Sequence, residues 1–83
     1  MTNNDVIVEL TRLLPPDSQH PWKHTHTGFG IRAFEARLPN GRPIYADQSL
    51  ECVVIGHSIT TFGSGKDFAS AVADFLASMS GAE

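Results

Sequence analysis

A single cysteine, Cys52, stands in the whole chain, and one thiol cannot build an internal disulfide framework. Its place in an apolar run marks it as a small buried hydrophobe. Charge is scarce as well. Asp, Glu, Lys and Arg make up 18% of the residues, and six cations stand against nine anions for a net charge of −3. That balance argues against broad electrostatic binding to nucleic acid, whose usual footprint is a basic stripe. No apolar run approaches the roughly 18 residues of a transmembrane helix, so no membrane partner is expected. The first residues, Met1-Thr2-Asn3-Asn4-Asp5, have neither the basic region nor the apolar region of a secretory signal, and a cytoplasmic location is the expectation. There is no internal repeat, linker or low-complexity segment. With 83 residues, of which 41% are apolar, there is room for one domain, residues 1–83, around one modest core.

Among what is present, residues 50–79 organise the rest. Leu50-Glu51-Cys52-Val53-Val54-Ile55 reads as a strand buried largely on both faces, with Val54 packed against Phe75. Gly63-Ser64-Gly65 is a glycine breaker. Between Lys66 and Met79, the residues Phe68, Val72, Phe75, Leu76 and Met79 share one narrow face of a helix. Ser64 is the expected N-cap, with Asp67 as the acid of a capping box, and Gly81 is the stop. Ala69, Ala73 and Ala77 lie beside the core stripe. Alanine is the best helix former at half-exposed positions, and the same flat stripe would let another helix approach closely.

The chain opens with a second helix. Asn3 or Asn4 is the expected cap, Asp5 suits the first turn, and Val6, Ile7, Leu10, Leu13 and Leu14 form the apolar stripe opposite Glu9 and Arg12. Pro15-Pro16 ends it. Residues 17–27 read as a loop holding three of the four histidines and the only tryptophan. Trp22 is a partner contact if exposed and a lid over the core if folded back, and the lid is the expectation. Phe34, Ala36 and Leu38 alternate with Glu35 and Arg37 as a half-buried strand. Leu38-Pro39-Asn40-Gly41-Arg42 is a hairpin turn, with Pro39 setting the first dihedral and Gly41 in the left-handed position of a bulge. Ile44-Tyr45-Ala46 is the return strand, Asp47-Gln48-Ser49 a second turn, and Gly56-His57 the break before a last strand at residues 59–62.

Motifs that carry chemistry are sparse. His20, His24 and His26 are the candidate metal ligands, with His57 or Cys52 to complete a set. A zinc site needs three or four convergent donors, and this loop offers no CxxC or HExxH. Solvated histidines are the expectation, with no metal and no cofactor. Gly63-Ser64-Gly65-Lys66-Asp67 suggests an anion cradle at a helix N-terminus. It departs from the P-loop at Thr60 and at Asp67, whose carboxylate would repel phosphate. His57-Ser58 lacks an orienting third group, and no G-x-S-x-G elbow is present. No catalytic residue is assigned, and an enzyme is not expected.

Together with the order helix, strands, helix, the Gly63–Asp67 segment resembles the double-stranded RNA-binding domain. In that family a glycine-rich turn opens the final helix and several lysines grip phosphates. The resemblance covers the last quarter of the chain, and of those lysines Lys66 alone is matched, with Asp67 beside it.

The sequence therefore predicts an α+β domain: helix, three- to four-stranded antiparallel sheet, helix, with both helices on one sheet face and the other facing water or a partner. The expected function is regulatory binding of another protein, with a homodimer as one form of it. The alternative is nucleic-acid binding through a cationic hairpin face built from Arg32, Arg37, Arg42 and Lys66, which holds only if those cations converge.

Overall fold

The computed structural model of the chain describes residues 2–25, 31–58 and 60–81. Helix α1 (Asn3–Leu13) is followed by strands β1 (Lys23–Thr25), β2 (Arg32–Arg37), β3 (Pro43–Gln48), β4 (Val53–Gly56) and β5 (Phe62–Gly65), and then by helix α2 (Phe68–Gly81). The strands form one antiparallel sheet in the order β1-β2-β3-β4-β5. The α+β class stands, but the sheet has five strands rather than three to four. The addition is β1, polar and three residues long inside an apparent loop, and the last strand, expected at residues 59–62, falls instead at Phe62–Gly65, with Ile59 outside the described residues.

Helix α1 is capped by Thr2 rather than Asn3 or Asn4. The Asp5 amide donates to Thr2 Oγ1 (3.1 Å) and the Thr2 amide to Asp5 Oδ2 (3.0 Å), a capping box that satisfies two end groups at once. Val6, Leu10 and Leu14 are buried, with Ile7 and Leu13 packed at their margin. Pro15 follows the C-cap, Leu14, and the free Leu14 carbonyl accepts the Trp22 indole N–H at 3.0 Å. Trp22 is buried and closes the core as a lid.

The β2–β3 hairpin forms at the expected turn. The Leu38 amide donates to the Arg42 carbonyl and the Gly41 amide to the Leu38 carbonyl, with Gly41 at φ 87°. The pairing continues past the expected second turn: Asp47 and Gln48 belong to β3. The reversal falls at residues 49–52, where the Ser49 amide bonds the Cys52 carbonyl at 2.9 Å. Leu50 and Glu51 occupy its tip in solvent, and Cys52 is half-buried. The run 50–55 is thus half turn and half strand, and β4 is not buried on both faces. Val53 and Ile55 point into the core while Val54 points to the opposite face. Val54 does not pack on Phe75.

The larger correction is at Gly63-Ser64-Gly65, a strand and not a breaker. Gly63 and Gly65 lie on the face covered by α2. A Cβ on Gly65 would stand 2.6 Å from Ser70 Cβ, and one on Gly63 would enter the backbone of Phe75. Without side chains there, the helix rests directly on the strand. The cap of α2 is Asp67, not Ser64: Asp67 Oδ1 accepts the Ser70 amide at 2.8 Å. Phe68, Ala71, Val72 and Phe75 are buried, whereas Leu76 and Met79 are 45% and 36% exposed. The buried stripe therefore includes Ala71 and excludes those two. Because α1 and α2 contribute to one core with Phe34, Ala36, Ile44, Ala46, Val53 and Ile55, both helices cover the same sheet face.

Candidate functional site

The sheet's register decides what the face turned away from the two helices displays. Phe34, Ala46, Ile55 and Gly63 align across four strands toward the helices. The neighbouring row, Lys23, Glu35, Tyr45, Gly56 and Phe62, must point the other way. Arg37 and Pro43 form the next outward row toward the hairpin. Residues 19–21 rise beside these rows, and His57 closes the far end. The result is a groove of about 590 Å³ at the hairpin end of the sheet, lined by these outward rows and also by Ala36 and Ile44 of the core.

Hydrogen bonds hold both sides of the groove. On one side the Asp17 amide donates to the Arg37 carbonyl (2.7 Å) and the Arg37 amide to the His20 carbonyl (3.2 Å), which fixes the loop to β2. His20 Nδ1 sits 2.9 Å from Asp17 Oδ2, and this bond holds the Asp17 carboxyl below its ordinary range. On the other side the Tyr45 hydroxyl donates to the Ser58 carbonyl at 3.1 Å. Burial, with Asp47 adding repulsion, pushes the Tyr45 phenol above its usual pKa. His57 Nδ1 lies 2.8 Å from the Pro43 carbonyl, which can only accept, so Nδ1 carries a proton. The His57 ring meets Phe75 edge to face, with centroids 5.1 Å apart, and its Nε2 is buried without a partner among the described residues. Lys23 Nζ approaches Glu35 Oε1 at 3.6 Å, an exposed and loose pair.

The four candidate cations do not share a surface. Arg32 faces the helix side of β2, its Nε on Gln48 Oε1 (2.6 Å) and its Nη1 on Asn3 Oδ1 (3.1 Å), tying the start of α1 to the sheet. Arg37 is five residues further along β2, roughly 17 Å at 3.3 Å per residue, and on the opposite face. Its Nη1 donates to the Gly41 carbonyl at 2.8 Å. Arg42 is exposed in the same hairpin. Lys66 follows Gly65, which lies in the row of Val53 and Gln48, and so belongs to the Arg32 end of the sheet. Two cations at each end, on different faces, do not make a cationic hairpin surface.

The histidines separate likewise. His20 lines the groove, while His24 is on the helix-side row opposite Phe34, with ring centroids 5.5 Å apart. His26 lies outside the described residues. Among the described residues no three of His, Cys, Asp and Glu are grouped to hold a metal ion. Trp22, a candidate contact, is in the core. Neither member of His57-Ser58 serves the other: His57 bonds Pro43, and Ser58 Oγ lies 3.0 Å from Thr60 Oγ1.

Of the residues singled out from the sequence, Arg37, His20 and His57 line the groove, whereas Lys23, Glu35 and Tyr45 were not among the candidates. Glu35, Arg37 and Tyr45 carried a signal. Counted outward from Pro39-Asn40-Gly41, Glu35 pairs with Tyr45 and Arg37 with Pro43, all facing away from Phe34 and Ala36. Lys23 carried none, because β1 has no apolar alternation. Compared with known proteins, the chain matches no family model, no curated protein and no solved structure.

Proposed function

We propose that the chain is a non-catalytic binding module that recognises another protein through the sheet face turned away from its two helices. The observation that carries this reading is the groove on that face, whose walls are held by backbone bonds at Arg37 and by the Tyr45 hydroxyl. A preformed concavity loses little freedom when it is filled. Its mixed lining, in which charged side chains alternate with prolines and one half-buried tyrosine, suits a transient protein interface better than an obligate one. The separation of Arg32 and Lys66 from Arg37 and Arg42 weighs against the nucleic-acid alternative. The resemblance to the double-stranded RNA-binding domain loses its main element too, since Gly63-Ser64-Gly65 is a strand.

A photo-activatable residue placed at Lys23 tests the reading. In the native cell it should cross-link to a distinct protein, and the same group at Ala73 on α2 should not. Cross-linking from Ala73 alone would contradict the proposal.

Self-association is the second reading, and α2 favours it. From Phe68 to Gly81 the only charged residue is Asp74, and its Oδ2 accepts the Ser64 amide at 2.9 Å. Leu76 and Met79 are exposed on an otherwise Ala- and Ser-rich surface, a helix face without the usual charged guard. Light scattering that finds only monomer at high concentration would remove this reading.

A further inference from the structure

We infer that the groove takes an acidic peptide segment, a refinement that rests on the binding-module reading above. The chain as a whole is acidic, with a net charge of −3, yet the groove has the opposite bias. Lys23 and Arg37 contribute two cations and Glu35 the one carboxylate of the lining, while the Asp17 carboxylate beside it is taken up by His20 at 2.9 Å. Both cations have donors to spare. Lys23 is exposed, and among the described residues its ion pair is the 3.6 Å contact with Glu35, longer than a hydrogen bond. Arg37 spends Nη1 on the Gly41 carbonyl and presents the rest of its guanidinium to solvent. A carboxylate entering between them meets Lys23 as a point charge and Arg37 as a planar fork.

The shape favours a peptide over a nucleic-acid strand. The groove crosses the sheet between the loop at 19–21 and Tyr45; Arg42 in the hairpin is the one other cation at this end, and Arg32 and Lys66 lie at the other end of the strands. A phosphate backbone would need cations along its path. One or two side-chain carboxylates need only the two present here, and Tyr45 supplies an apolar wall for the neighbouring residue. Glu35 then acts as an internal competitor, holding Lys23 until the ligand carboxylate replaces it.

The test is a titration of the ¹⁵N-labelled full chain with a synthetic hexaglutamate peptide, followed by amide chemical shifts. Shifts should localise to Lys23, Glu35, Arg37 and Tyr45, and affinity should fall as salt is raised. Lys23→Ala and Arg37→Glu should each weaken binding about tenfold. Arg12→Glu, on α1 and away from the groove, should leave it unchanged. Glu35→Gln should bind more tightly, a gain that a merely structural role for Glu35 does not give. Melting curves for each variant separate lost binding from lost folding, and Lys23→Ala alters only an exposed side chain. No localised shifts, shifts confined to α2, or equal binding of a thymidine hexanucleotide would overturn the inference. If hexaglutamate fails while Lys23 still cross-links to a protein, the acidic-peptide assignment falls and the binding module stands. If both fail, both fall.

Discussion

Gly63 and Phe75 meet backbone to backbone. A Cβ on Gly63 would fall within the main chain of Phe75 and 2.7 Å from the Asp74 carbonyl carbon, so α2 sits as close to β5 as a helix can. Gly63→Ala should therefore cost about 3 kcal/mol, because backbone cannot swing aside as a side chain would. Gly41→Ala is the useful contrast. Gly41 has open space around it and a φ of 87°, so the cost is only that of the left-handed backbone, about 1 kcal/mol. Urea denaturation of the two variants checks the difference.

Val53 and Val54 are neighbours with opposite fates. Val53 is 2% exposed and in the core, so Val53→Asp should unfold the chain by burying a charge without a partner. Val54 faces the open side of the sheet and is half-buried. Val54→Asp should remain folded and lose about 1 kcal/mol. Circular dichroism on both distinguishes this arrangement from a strand buried on both faces.

Trp22 reports on the lid. As the only tryptophan, buried at 3% exposure, it should emit at short wavelength when folded and shift to the red on unfolding. Trp22→Phe leaves the Leu14 carbonyl without its donor and should cost about 2 kcal/mol.

The pH profile follows from four groups. Hydrogen bonds at the α1 cap, at His20 and at the α2 cap hold Asp5, Asp17 and Asp67 below their ordinary pKa. The unfolded chain therefore takes up protons first as pH falls. The stability these carboxylates add is complete above the carboxylate range and is lost below about pH 4. Tyr45 works in the other direction. Its folded pKa is raised, so its contribution is present below about pH 10 and disappears as pH rises through the folded value. Denaturation midpoints measured across pH should form a plateau with two falling limbs. Asp5→Asn should flatten the acid limb.

How legible the fold was depended on which residues carried their own signal. The stripe Val6, Leu10, Leu14 and the turn Pro39-Asn40-Gly41 encode their structures locally, through helical spacing and one positive φ. Strand β5 does not. Phe62-Gly63-Ser64-Gly65 has the composition of a loop, and it becomes a strand because its glycines admit α2 at contact distance. Strand β1 is likewise set by pairing with β2 and not by its own Lys-His-Thr. The site inherits this division. The hairpin half, Glu35, Arg37 and Tyr45, follows from the turn, while Lys23 and His57 reach the groove only through tertiary pairing. Leu76 and Met79 fit the helical period equally well, but α2 crosses a narrow edge strand that covers a thinner stripe than the sequence offers.

The most direct measurement compares Arg37→Glu in the groove with Ala73→Arg on the outer side of α2. Both side chains are exposed, so both variants should keep the wild-type melting temperature. Partner capture is then scored by cross-linking from Lys23 in the native cell. The account predicts that Arg37→Glu loses the partner and Ala73→Arg retains it. Loss with Ala73→Arg and retention with Arg37→Glu would contradict it, and would move the working surface from the open sheet face to the helix.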